Sequence, residues 1–219
     1  MKVIEDIYGK LKIVPLVLCD DYTVSAKICE TLAETGLTAI GFNILSHGSF
    51  RMLEKLVLDF PQIEIGATNI FDAAGFMSAS LVGAKFISSS GMNSELYTAV
   101  RTRYNDAHFL PGVVTPSEVL ESLSNGFKAM NLCPAEYLNG KQLLDYYVSV
   151  FPQVKFVVRG GITIANMDDY LIKSNVIGIS LPEIADAELI ETQNFVEIKR
   201  RAKQAIDKGL GIKAEFGIN

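Results

Sequence analysis

Three asparagines, Asn43, Asn69 and Asn131, each lie at or near the end of a short β-rich run. Amides in such places can hold a polar ligand or polarise a carbonyl modestly, but they are poor proton carriers. Gly160 and Gly161 follow another such run, and Arg159 directly precedes them. Bare backbone N–H groups near a helix start attract anions, and a guanidinium beside them adds fixed positive charge. Gly178-Ile179-Ser180 offers a second half of an anion cradle; the plain alternative is that Gly160-Gly161 only makes a tight turn. For Arg159 the alternative is a salt bridge to a neighbouring acid such as Glu136 or Asp168.

Other chemistries lack their groups. Ser88-Ser89-Ser90-Gly91 is rich in hydroxyls, but no Gly-x-Ser-x-Gly elbow accompanies it. His47 and His108 are the only histidines and make no metal-ligand spacing. Cys19, Cys29 and Cys133 are odd in number and form no Cys-x-x-Cys pair, so they read as small buried hydrophobes. No Gly-x-Gly-x-x-Gly follows the first strand. Neither a metal nor an organic cofactor is expected.

The elements that must hold these residues recur with one rhythm. Strands are expected over 13–18, 38–43, 64–67, 85–88, 108–112, 127–132, 154–158 and 175–179. Helices are expected over 23–34, 49–59, 72–82, 94–104, 117–124, 140–150 and 164–172, with the last helices in 185–208. Apolar rather than alternating strands suit a sheet buried on both faces. Eight strand–helix units in 219 residues predict a single domain, residues 1–219, folded as a (β/α)8 barrel of near-minimal size. An open doubly wound sheet is the competitor. The first dozen residues are expected to form a helix covering the barrel bottom, and any ligand is expected at the strand C-terminal ends.

Composition narrows the partners. The net charge of −5 gives no basic excess for nucleic acid. No apolar run reaches the roughly 18 residues that span a bilayer. The first residues lack the plan of a signal peptide, so a cytoplasmic location is expected.

Val14-Pro15, Gly66-Ala67, Gly83-Ala84-Lys85-Phe86, Pro111-Gly112, Cys133-Pro134-Ala135-Glu136 and Gly160-Gly161-Ile162 occur in one order and spacing. Together they resemble the class I aldolases that cleave 2-keto-3-deoxy-6-phosphogluconate and 2-keto-4-hydroxyglutarate. The resemblance implies a carbon–carbon lyase acting on a keto acid or sugar phosphate, a homotrimer, and a phosphate cradle at Gly160, Gly161, Gly178 and Ser180.

The same resemblance exposes a loss. The family's sixth strand reads Lys-Phe-Phe-Pro-Ala-Glu and carries the Schiff-base lysine; here that position is Asn131. An amide cannot condense with a ketone to give an iminium. The family's acid/base glutamate becomes Gly41, and its carboxylate-gripping arginine becomes Leu45. In strand three a hydroxyl position becomes Asn69, the proline after strand four becomes Ser90, and the threonine before the glycines becomes Arg159. Glu136 is the acidic residue retained from the pattern, its alternative being a structural loop carboxylate. Lys85, Lys128 and Lys155 belong at the other end of their strands and are poor substitutes for the amine. The sequence thus supports an aldolase-like barrel lacking the ordinary Schiff-base route. The alternative is a non-catalytic barrel that binds a phosphorylated or carboxylated metabolite; an isomerase using Glu136 or His47 as base is weaker.

Overall fold

The computed structural model describes residues 4–9, 11–102 and 108–216. Its parallel strands are β1 (Ile13–Val17), β2 (Ala39–Asn43), β3 (Glu64–Thr68), β4 (Phe86–Ser88), β5 (His108–Leu110), β6 (Gly112–Val113), β7 (Ala129–Leu132), β8 (Lys155–Val158) and β9 (Val176–Leu181). They are hydrogen-bonded in the order β5-β4-β3-β2-β1-β9-β8-β7-β6. β5 and β6 are the expected fifth strand broken at Pro111, which has no N–H to give to a ladder. The piece before the proline pairs with β4 and the piece after it pairs with β7, so this broken strand nearly closes the barrel.

The helices are α1 (Ile4–Tyr8), α2 (Tyr22–Ala33), α3 (His47–Asp59), α4 (Ala73–Leu81), α5 (Ser94–Thr102), α6 (Pro116–Ser124), α7 (Gly140–Val150), α8 (Asp168–Leu171), α9 (Ala187–Glu191) and α10 (Phe195–Phe216). Caps written in the sequence start several of them. Asp21 and Asp72 accept from backbone N–H groups, and Thr115 with Glu118 forms a capping box ahead of Pro116. Residues 103 and 104, expected to end α5, lie outside the described residues. The helix expected over 164–172 shortens to α8. The side chain of Asn166 accepts from the Thr163 N–H and donates to the Gly161 carbonyl, which holds the preceding residues in a turn.

Two cores result. The larger lies between sheet and helices and includes Ile28, Leu32, Leu53, Phe76, Leu144 and Tyr170. The smaller fills the barrel: Ile4, Ile7 and Tyr8 of α1 pack with Val14, Phe86, Leu110 and Val157. This N-terminal helix closes the bottom of the barrel, as its position in the chain suggested. The Tyr8 and Phe86 rings stand 6.1 Å apart. Their bulk is matched by glycines. A Cβ on Gly66 would come within 2.4 Å of the Phe86 ring, and one on Gly178 within 2.2 Å of Tyr8.

Candidate active site at the barrel mouth

The strand ends carry a continuous chain of polar contacts. Arg159, just past β8, reaches across the mouth, and its Nη2 donates to Asn43 Oδ1 at 2.9 Å and to Asn69 Oδ1 at 2.8 Å. A guanidinium has only donors, which fixes both amides with their oxygens toward it. Asn43 Oδ1 also accepts from the Thr68 hydroxyl, and Asn69 Oδ1 accepts from Ser90 Oγ at 3.5 Å. Cys133 Sγ donates to Ser90 Oγ at 3.8 Å. One run of contacts therefore joins the ends of β7, β4, β3, β8 and β2.

Asn69 serves this arrangement twice. Its backbone is left-handed, with φ of 63°, a conformation that asparagine tolerates better than most residues.

Arg159 is only 9% exposed, and its Nη1 has no hydrogen-bond partner among the described residues. Among the described residues no carboxylate pairs with it. Burial pulls its guanidinium below the usual range, while the Cys133 thiol and the Tyr8 phenol push back. Of the two readings of Arg159, the salt bridge to Glu136 or Asp168 does not form. Glu136 accepts from the Tyr170 hydroxyl and lies 3.7 Å from Lys141, and Asp168 pairs with Lys208 at 2.8 Å. The reason is direction: the guanidinium lies inside the mouth, and both acids face the surrounding helices.

Asn131 is 1% exposed, and its Nδ2 donates to the Ser89 carbonyl at 2.7 Å, tying β7 to the loop after β4. The same loop presses on Gly112, whose N–H donates to Ser89 Oγ and whose missing Cβ would sit 2.2 Å from the Ser90 carbonyl carbon. The space beside Gly41 is already filled. A Cβ there would meet Leu16 at 2.7 Å and Thr68 at 3.1 Å. Leu45 lies beyond β2 and is 55% exposed, outside the polar run. Lys155 donates to the Ser174 carbonyl, and Lys85 and Lys128 are exposed at the starts of their strands, far from the mouth.

Gly160 and Gly161 have left-handed backbones, with φ of 91° and 79°. They let the loop lie against the Pro134-Ala135-Glu136 turn, since their Cβ atoms would fall 2.8 Å from Pro134 and 2.6 Å from Glu136. Ala135 N–H and Glu136 N–H bond the carbonyls of Arg159 and Gly160. Close by, the Glu183 carboxylate accepts from Ile164 N–H at 2.6 Å, placing a negative charge on this loop. Gly178 and Ser180 stand elsewhere. They were expected after the last strand, but β9 runs on to Leu181, and both lie within it, facing Tyr8. Burial holds the Tyr8 phenol up at about 12, against the pull of its bond with Ser180 and the charge of Arg159.

Sequence reasoning passed over Tyr8, Thr68, Cys133 and Glu183. For Cys133 a signal existed: it lies two residues after Asn131, the spacing that puts strand side chains on one face. Ile4, Ile7 and Tyr8 likewise have the spacing of one helix face.

A nearly closed parallel barrel with its polar residues at the strand C-terminal ends defines an α/β-barrel protein of the kind that holds ligands at that face. The sequence profile of the KDPG and KHG aldolase family matches residues 4–201. The chain belongs to that family. It is 24% identical over 205 residues to the 2-dehydro-3-deoxy-phosphogluconate aldolase of Pseudomonas aeruginosa, covering 94% of this chain and 92% of that one. It is 26% identical over 200 residues to the aldolase of the same name from Haemophilus influenzae, covering 90% and 92% of the two chains. The KDPG aldolase of Legionella pneumophila, solved with pyruvate captured as a covalent carbinolamine, superposes with a TM-score of 0.87 at 26% identity, over 92% of this chain and 97% of that one.

Proposed function

We propose that this protein is an aldolase-like barrel that binds a small anionic metabolite, a keto acid or sugar phosphate, at its mouth without Schiff-base cleavage. The observation that carries the reading is Asn131: a buried amide bonded to the Ser89 carbonyl at the family's lysine position. Ordinary class I cleavage needs an amine there to form the electron sink. Gly41 supplies no acid or base, and Leu16 and Thr68 crowd the place a side chain would take.

Support for anion binding comes from donors. Arg159 Nη1 is unpartnered, the amide nitrogens of Asn43 and Asn69 face away from the guanidinium, and the N–H groups of Gly160 and Gly161 have no acceptor among the described residues. A buried guanidinium without a counter-ion costs several kcal/mol, a cost that an anion offsets. The phosphate end at Gly160 and Gly161, the homotrimer implied by the family resemblance and the cytoplasmic location expected from the first residues belong to the same proposal.

Borohydride reduction in the presence of pyruvate, read by intact mass, tests the loss of the Schiff base. No adduct is expected, and a reduced imine adduct would sink the proposal. Thermal shift with keto acids and sugar phosphates tests binding; about 2.7 kcal/mol of stabilisation is expected at 100 times Kd.

A further inference from the structure

We infer that Cys133 is a covalent capture group for small 2-oxo carboxylates, its thiol joined through Ser90 and Asn69 to the Arg159 guanidinium that pairs with the carboxylate. This rests on the anion-binding reading above and adds a bond to it. Cys133 follows β7 two residues after Asn131, so it lies on the same line of side chains at the mouth. Its Sγ is linked through Ser90 and Asn69 to Arg159.

Arg159 supplies the independent observation that a ligand belongs there. It is nine-tenths buried, its two acceptors are neutral amides, and Nη1 has none among the described residues. A planar carboxylate suits a guanidinium fork.

The other cysteines lack this setting. Cys29 is fully buried and its thiol is pushed up to about 12 by burial. Cys19 has the same exposure as Cys133, 8%, but donates to the Asp21 carbonyl.

The step balances without an oxidant or reductant. The sulfur lone pair forms an S–C bond to the ketone carbon, the carbonyl π bond breaks onto its oxygen, and the thiol proton ends on that oxygen. The product is a thiohemiketal, and the reverse step releases the ketone.

The test compares alkylation of the folded protein by iodoacetate and iodoacetamide, with peptide mapping of each cysteine. Free thiols ordinarily react faster with the neutral reagent. At Cys133 the order is expected to invert by several-fold, to saturate with iodoacetate concentration and to be slowed by pyruvate. Cys19 serves as the control of equal exposure and keeps the ordinary order. In Arg159→Gln the inversion is expected to vanish; Arg159→Lys, which keeps the charge, retains part of it, and circular dichroism checks both folds. An ordinary order at Cys133 in the wild type, or an inversion that survives in folded Arg159→Gln, overturns the inference.

Pyruvate labelled at its ketone carbon then tests the bond. Its ketone resonance is expected to move to the tetrahedral range with wild type and not with Cys133→Ser. Pyruvate that binds both proteins in a thermal shift but keeps a ketone resonance removes only the covalent step. Failure of keto acids and sugar phosphates to shift either protein removes the anion-binding reading itself.

Discussion

Arg159 Nη2 lies 2.8 Å from Asn69 Oδ1, joining the end of β8 to the end of β3 across the barrel mouth. Two consequences can be separated by substitution, because Asn69 is also left-handed. Asn69→Gly removes only the acceptor and is expected to cost about 1–3 kcal/mol, the range for leaving a buried donor short of a partner. Asn69→Ala adds a left-handed alanine and is expected to cost about 1–2 kcal/mol more. Urea unfolding of the two variants measures the difference; equal losses would mean that the backbone conformation carries no cost here.

Asn131→Lys is expected to leave cleavage of keto-deoxy-phosphogluconate undetectable in a pyruvate-release assay. The new amine would stand in a barrel whose Gly41 handles no proton and whose Leu45 is out in solvent. The substitution also removes the bond to the Ser89 carbonyl and buries an ammonium, so a stability loss of at least about 1–3 kcal/mol is expected. Full activity in this single variant would show that the other replacements matter little.

Gly41→Glu is expected to destabilise rather than to supply a base. Its Cβ meets Leu16 at 2.7 Å, and overpacking of this kind costs typically about 1–3 kcal/mol. Leu16→Ala in the same chain relieves the contact, so the double variant is expected to recover part of what the additive sum of the two losses predicts, a coupling read by a double-mutant cycle.

Tyr8 predicts an alkaline limb. Burial raises its phenol from 10.0 to about 12 in the folded protein. The folded state then keeps a proton that the unfolded chain loses first. The stabilisation is complete below pH 10 and is lost as pH rises toward 12, by on the order of 3 kcal/mol. Tyr8→Phe gives up the bond with Ser180, costing about 1 kcal/mol at neutral pH, but flattens that limb. Other raised phenols such as Tyr147 act in both proteins and cancel in the difference. Parallel curves for the two proteins between pH 10 and 12 would count against the buried phenol.

Much of the fold was legible because its signals are local. Thr115, Pro116 and Glu118 announce α6, and Gly83 and Gly126, both with positive φ, stand where α4 and α6 have ended. Where reading failed, a distant contact decided. The fifth strand divides at Pro111 because its halves serve different neighbours, β4 and β7. Gly178 and Ser180 sit inside β9 because pairing with β1 carries the strand on to Leu181, which meets Pro15.

The sequence by itself determined the order of strands and helices, the family pattern and the absence of an amine at position 131. These depend on residue types and short spacings along one chain. Tertiary structure decided whom Arg159 serves. Its partners Asn43 and Asn69 lie 116 and 90 residues away, and only closing the sheet into a barrel brings three separate strand ends within one guanidinium's reach. The same closure sets Cys133 against Ser90 and leaves Nη1 without a partner among the described residues.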